Sequence, residues 1–215
     1  MEVSKIDESV VKTKGKKKKG GKAGAKAGAK SEDFAHQVLH VINQVRENPP
    51  AFAQKIIDSI VNIQKEEKEG VTKIIFNAKG SKVNLNKGEE AFRQVATLLM
   101  NTSPVDPLQL REELVTQLPE DPAMWKNKST IAEINAKKCV EVADNYGIIK
   151  FNMDLGVSDP ELTVILQLVD DSSFKGKRRD NILHPKNKYL GVSYAKQKKK
   201  FFTILFFATE KSNNN

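Results

Sequence analysis

The apolar positions in the first half of the chain recur at helical spacing. Ser31 is a plausible N-cap for the first helix, and a stripe with the spacing of one helix face follows it. This stripe comprises Phe34, Val38, Val41, Ile42 and Val45. Asn48-Pro49-Pro50 ends that helix and begins a second one, which continues to about Ile63. Asn86 and Glu89 mark the start of a further helix over residues 87–100.

The rest of the chain combines helical and extended patterns. Residues 71–77 and 81–86 have the composition of short strands. Further helices are predicted after Asp106-Pro107 (carrying Leu108, Leu110, Leu114 and Leu118), from Ser129 to about Asn145, and from Asp159-Pro160 through Val169. Two apolar runs, Tyr189–Ala195 and Phe201–Ala208, predict an antiparallel hairpin. The pattern as a whole predicts an α+β fold with helices on both sides of a small, mostly antiparallel sheet.

Charge is distributed unevenly along the chain. Of the formal net charge of +9, residues 1–30 hold ten lysines and three acidic residues, a net charge of +7. After Val11 this segment has no apolar residue larger than alanine, so it cannot bury enough surface to offset its ordering entropy. We therefore expect residues 1–30 to be a disordered basic tail and residues 31–215 to be one folded domain.

Nine of the ten lysines of this basic tail, all except Lys5, are the first candidate binding site. They are Lys12, Lys14, Lys16, Lys17, Lys18, Lys19, Lys22, Lys26 and Lys30. Such a segment binds acidic surfaces by displacing counterions, and phosphates, acidic protein tails and anionic lipid all qualify. A solubilising tail without a dedicated partner is the alternative.

The composition also excludes several classes of protein. No apolar run approaches the ~18 residues that a membrane span needs, so no transmembrane segment is predicted. The first residues lack the apolar core of a secretory signal, and the single cysteine, Cys139, rules out an intramolecular disulfide. We expect an intracellular, cytoplasmic protein.

Two segments resemble motifs of the CAP superfamily, which includes cysteine-rich secretory, antigen 5 and pathogenesis-related 1 (SCP/TAPS) proteins. The first contains Asn43, Arg46 and Pro49 in an Asn-x-x-Arg-x-x-Pro pattern. The second, residues 170–192, is similar to the family form Asp-Asp-Gly…Gly-His-Arg-x-Asn-Ile…Gly-Val, and an apolar strand, Phe201–Ala208, follows it. The resemblance spans about residues 34–208 and implies a three-layer α-β-α sandwich.

The same resemblance implies a cleft that has lost its chemistry. The family typically carries two histidines and two glutamates there, which can hold a divalent metal. Lys177 stands where the second histidine belongs, and a protonated amine has no lone pair with which to bind zinc. The interval between Gly147 and Asp170 contains neither histidine nor Gly-Glu-Asn. We therefore predict no catalytic residue, no metal, no cofactor and no enzymatic activity.

The remaining histidines and the cysteine have ordinary explanations. His36 and His40 are four residues apart but lie opposite the apolar stripe, so we expect a solvent-facing pair. His184 precedes a proline in a turn, where a structural role is expected. Cys139 has no histidine that could activate it and is expected to be a buried core thiol.

A second concentration of charge lies near the end of the chain. Asp170-Asp171 is expected to cap a turn and to pair with Arg178. The candidate basic patch comprises Lys175, Lys177, Arg178, Arg179, Lys198, Lys199 and Lys200. No aromatic residues are interleaved to form a base-stacking platform, so sequence-specific reading of nucleic acid is unsupported.

These observations predict a non-catalytic interaction protein. A degenerate CAP domain would be anchored by its polybasic tail to an acidic scaffold, with tubulin tails in a cytoskeletal or ciliary assembly favoured over RNA or chromatin. The alternatives are an intracellular CAP-type protein that binds a lipid or sterol, and a nucleic-acid-associated protein acting through the tail.

Overall fold

The computed structural model describes residues 23–171 and 176–211, with side chains from Asp33 onward. The helices are α1 (Ala23–Glu47), α2 (Pro49–Asp58), α3 (Glu89–Met100), α4 (Lys128–Val142), α5 (Pro160–Val169) and α6 (Lys177–Leu183). The strands are β1 (Ile63–Lys68), β2 (Val71–Ala78), β3 (Ser81–Leu85), β4 (Gln109–Leu110), β5 (Tyr146–Leu155), β6 (Asn187–Gln197) and β7 (Lys200–Glu210). The predicted α+β class is confirmed.

The strands form two sheets. In the smaller one, β2 pairs antiparallel with both β1 and β3. Both hairpin turns, Glu69-Gly70 and Lys79-Gly80, have two successive residues with positive φ, the type I′ geometry that matches strand twist. In the larger sheet the order is β4-β6-β7-β5, with β4 parallel to β6 and the other pairs antiparallel.

Strand β7 is buried on both faces of the larger sheet. Leu205 and Phe207 belong to the core that α1 and α5 complete, whereas Phe202, Ile204 and Phe206 face a second core. Trp125 and α4 supply the other side of that second core. Side chains alternate across a strand, so a near-continuous apolar run is what a strand covered on both faces requires.

Several predicted elements are confirmed together with their capping residues. Asn48 caps α2 by accepting from the Ala51 amide at 3.1 Å, and Asp159 caps α5 by accepting from the Leu162 amide at 2.9 Å. The β6–β7 hairpin lies where the two apolar runs placed it. In α4 the cap is Asn127 rather than Ser129.

The first helix is longer than predicted. It begins at Ala23 instead of following Ser31 as N-cap, because the alanine-rich stretch favours helix. Lys26 and Lys30 of the predicted tail are therefore helical. We call residues 1–22, which precede α1, the leader. Seven of the candidate binding lysines belong to the leader and lie outside the described residues, and so does the disorder predicted for them: Lys12, Lys14, Lys16, Lys17, Lys18, Lys19 and Lys22.

The helix predicted after Asp106-Pro107 is wrong. This segment instead forms β4 and a short 3-10 turn at Glu112–Leu114. Asn43 explains the difference, because its side chain donates to the Leu108 carbonyl at 3.0 Å and accepts from the Leu108 amide at 2.8 Å. A side chain distant in sequence thus satisfies the backbone groups that a helix would have used.

Three elements were missed by the sequence pattern. These are β1, β5 and α6, and the last contains Lys177, Arg178 and Arg179 of the candidate basic patch. In β5 the signal was present, because apolar Phe151 and Met153 alternate with polar Asn152 and Asp154.

Candidate functional site

A fully buried arginine connects distant parts of the chain. Arg46 on α1 donates from Nε to the Asp106 carbonyl at 2.7 Å and from Nη1 to the Ile182 carbonyl at 2.6 Å. It also donates to the carbonyls of His184, at 3.2 Å, and Asn187, at 3.1 Å. Burial lowers the pKa of Arg46 to about 10, opposed by the Asp106 carboxylate, so the guanidinium is charged at neutral pH.

The two motifs that carry the resemblance therefore touch each other. Asn43 and Arg46 come from the first motif, and the turn between α6 and β6 comes from the second. A planar guanidinium with several fixed donors suits this arrangement of carbonyls around one point. Asn43 and Arg46 hold backbone groups of other segments in place, and neither presents a reactive group.

A chain of buried amides continues from this turn to the sheet. The Asn187 side chain donates to the Asn181 carbonyl at 2.7 Å, and the Asn181 side chain donates to Asn152 Oδ1 at 2.8 Å. Asn152 in turn donates to Gln167 Oε1 and to the Arg178 carbonyl, both at 2.9 Å. This network fixes α5 and α6 against the edge strand β5.

The predicted pairing of Asp170 with Arg178 is confirmed. Arg178 Nε donates to Asp170 Oδ1 at 2.6 Å, and Asp170 ends α5 in the left-handed conformation. The role of the neighbouring Asp171 was missed. The Asp171 carboxylate accepts from the backbone amides of Asn86, Lys87 and Gly88 at 2.8–3.0 Å, which ties this turn to the start of α3. An acidic residue after a helix end gave no sequence signal for that contact.

Asp154 is an acidic group held inside the protein beside this cluster. Burial raises its pKa to about 6, although the nearby positive charge of Arg178 and a backbone hydrogen bond from Leu155 oppose the shift. Its cross-strand partner is Thr203. Asp154 Oδ2 and Thr203 Oγ1 each make no hydrogen bond with the described residues.

The predicted basic patch is only partly exposed. Lys177, at the start of α6, and Lys198, Lys199 and Lys200, at the β6–β7 turn, face solvent. Arg178 and Arg179 instead make internal contacts, since Arg179 donates to the Leu168 carbonyl at 3.2 Å. The patch therefore excludes these two arginines. Lys175 lies outside the described residues.

The histidines behave as expected and Cys139 does not. His36 and His40 are exposed on α1, and His40 lies 2.9 Å from the Gln44 amide nitrogen. His184 Nδ1 accepts from the Lys186 amide at 3.3 Å, and partial burial lowers the pKa of His184. Cys139 is half-buried and is not a core residue. Partial burial raises the pKa of its thiol, which makes the thiol a weak nucleophile at neutral pH.

An open trough of about 690 Å³ lies beside Asp33, Phe34 and Gln37 of α1. We call it the α1 trough. Phe34 and Tyr194 stack at 4.1 Å along one wall, and Leu118, Pro119 and Trp125 are among the residues that line the rest. Asp33 and Glu120 contribute carboxylates to it. Sequence patterning did not predict this site, because its lining comes from parts of the chain far apart in sequence.

A smaller hollow of about 440 Å³ adjoins the trough and is lined by both His36 and His40. Its carboxylates are already paired, because Lys79 contacts Asp159 at 3.1 Å and Glu161 at 2.8 Å. The hydrogen bond from Lys79 lowers the pKa of Glu161. Within residues 23–171 and 176–211, no three histidine, cysteine or acidic residues cluster as metal ligands would.

Comparison with known proteins finds no similar protein. The chain matches no family model, no curated protein and no solved structure. In the part of the chain that the structure describes, no helix is both long and apolar enough to cross a membrane.

Proposed function

We propose that this chain is a non-catalytic interaction protein. Its folded part would be a CAP-like α-β-α domain without the histidine and glutamate cleft, and its lysine-rich segment would attach it to an acidic macromolecular surface in the cytoplasm. Acidic tubulin tails, in a cytoskeletal or ciliary setting, are the favoured surface over RNA or chromatin.

The distribution of positive charge along the chain carries this proposal. Residues 1–30 hold +7 of the net +9, so the folded part is nearly neutral. Within that folded part, Arg46, Arg178 and Arg179 donate to internal acceptors. The excess of positive charge over negative charge is therefore concentrated ahead of the domain, whereas exposed lysines such as Lys177 and Lys198 belong to a nearly neutral part of the chain.

Two contacts support the CAP-like domain. Arg46 connects the Asn-x-x-Arg-x-x-Pro motif to the segment that resembles the family's second motif. The larger sheet also packs against α1 and α5 on one face and against α4 on the other, as an α-β-α sandwich would. Lys177 is exposed at the place that the resemblance assigns to a histidine.

A salt titration of binding tests the role of the leader. The full chain is compared with a Δ1–22 chain, which removes the leader but leaves α1 whole, on microtubules, RNA and nucleosomes. If all nine candidate lysines from Lys12 to Lys30 engage a nucleic acid, the slope of log affinity against log salt is about −6 to −8, and Δ1–22 reduces its magnitude by about 5 to 6.

A matched control removes charge elsewhere. Substituting Gln for Lys198, Lys199 and Lys200, which are exposed at the β6–β7 turn, should leave most of the slope in place. Indistinguishable binding by the full chain and Δ1–22 would refute the proposal. Microtubules stripped of their acidic tails should lose the interaction if tubulin is the partner.

The α1 trough favours one alternative, a CAP-type protein that binds a lipid or sterol. Its volume lies in the range of small-molecule sites, and aromatic side chains line it. Native mass spectrometry of the purified protein tests this alternative, since a lipid ligand would be seen as a discrete added mass.

A further inference from the structure

The α1 trough combines an aromatic wall with two exposed acidic residues, Asp33 and Glu120. Tyr194 stacks between Phe34, at 4.1 Å, and Phe201, at 6.4 Å. Asp33 and Glu120 are exposed, and neither forms an ion pair with another described side chain. Such a surface suits a segment that places an apolar side chain beside positive charges.

The backbone that carries Glu120 is held in place. The Glu120 backbone carbonyl accepts from the Gln197 side chain at 3.2 Å, and the Trp125 ring nitrogen donates to the Pro119 carbonyl at 2.7 Å. These contacts fix the loop that forms one side of the trough. Lys196, which also lines the trough, lies with its ammonium 5.2 Å from the Phe201 ring centre.

The leader contains a segment with matching chemistry. Val10-Val11 is followed at once by Lys12-Thr13-Lys14. In an extended segment successive side chains point to opposite sides, so when Val11 and Thr13 face the trough, Lys12 and Lys14 point away from its floor. Long lysine side chains can then reach carboxylates at the rim.

The length of the chain permits this arrangement. Helix α1 starts at Ala23, eleven residues before Phe34, a distance of about 16 Å along the helix. Residues 15–22 can span up to about 26 Å when extended. The leader can therefore fold back from the start of α1 to the trough.

We infer that the α1 trough binds the chain's own Val10–Lys14 segment, with Val11 against the aromatic wall and the lysines beside Asp33 and Glu120. The inference extends the proposed function, because leader lysines held in the trough are withheld from an acidic partner. The trough carboxylates and the acidic partner then compete for the same leader lysines.

Zero-length carbodiimide cross-linking of the full chain at low salt tests the inference. Peptide mass spectrometry should find Glu120 joined to Lys12 or Lys14. Asp33 is not diagnostic, because it is close in sequence to the basic tail. The reference carboxylate is Glu133, which is exposed on α4 and does not line the trough.

Two leader variants sharpen the test. Val11→Asp should reduce the Glu120 cross-link about tenfold, the effect of losing one buried valine, whereas Val3→Asp should preserve it. Both lie ahead of the folded part, and circular dichroism checks that the domain is unchanged. Mixing 15N-labelled and unlabelled chains shows whether the link forms within one molecule.

Four results would overturn the inference. Glu120 could cross-link no more often than Glu133, Val11→Asp could leave the yield unchanged, or labelled–unlabelled pairs could dominate, which would assign the trough to a second copy. A lipid that co-purifies and is displaced by Leu118→Glu would assign it to lipid. None of these readouts uses an acidic partner, so failure here is distinguishable from failure of the proposed function.

Discussion

Removing the buried arginine should destabilise the whole domain. Arg46→Ala deletes donors to four carbonyls, those of Asp106, Ile182, His184 and Asn187, and leaves a cavity between α1 and the α6–β6 turn. An unsatisfied buried polar group costs about 1–3 kcal/mol, and such losses are not additive. We expect a loss of about 3–5 kcal/mol from a free energy of unfolding of about 5–15 kcal/mol.

Arg46→Lys should also destabilise the domain, by a smaller amount. Lysine keeps the charge, but its donors sit on a single nitrogen and cannot reach carbonyls placed around a planar fork. A loss intermediate between wild type and Arg46→Ala is expected. This variant separates the geometry of the guanidinium from its charge.

Urea denaturation measures both variants. The only tryptophan, Trp125, is 1% exposed in the core on the other face of the sheet, so its fluorescence reports cooperative unfolding. With a slope of about 2 kcal/mol per molar urea, Arg46→Ala should lower the midpoint by about 1.5–2.5 M. Far-UV circular dichroism should give the same midpoint if unfolding is two-state.

The matched control is Arg93→Ala. Arg93 pairs on the surface with Glu89, four residues earlier on α3, with Nε 2.7 Å from Oε1. Such exposed pairs contribute about 0.3–0.5 kcal/mol. Equal midpoint shifts for Arg93→Ala and Arg46→Ala would refute the argument that Arg46 organises the fold.

Three further outcomes are expected. Asp171→Ala should lower the free energy of unfolding by about 1–3 kcal/mol, since three backbone amides at the start of α3 lose their acceptor, whereas the exposed control Asp144→Ala should change it little; equal urea midpoints would contradict this. Because the pKa of Asp154 is raised to about 6 in the folded protein, its contribution to stability should fall as pH rises from about 4 to about 6. Asp154→Asn should therefore gain stability relative to wild type over that window, and a pH-independent difference in urea midpoints would be the contrary result. Because partial burial raises the pKa of the Cys139 thiol, a thiol reagent at neutral pH should label it more slowly in the native protein than in urea. Equal labelling rates would contradict that expectation.

The sequence by itself determined the elements whose signals are local. The stripe from Phe34 to Val45, the caps Asn48 and Asp159, and the apolar runs of β6 and β7 each act within a few residues. Periodicity and capping chemistry are sufficient there, because the groups that decide the structure are neighbours along the chain.

Tertiary structure decided what depends on distant partners. Leucines at 108, 110 and 114 suggested a helix, but Asn43 takes the backbone groups of Leu108 and β6 pairs with Leu110. Arg179 was predicted to be surface charge, but in the fold it donates to the Leu168 carbonyl. The α1 trough likewise exists only once α1, the loop before Trp125 and the end of β6 meet. Charge and polarity along a chain do not reveal which groups will find a buried partner, because that depends on packing between residues far apart in sequence.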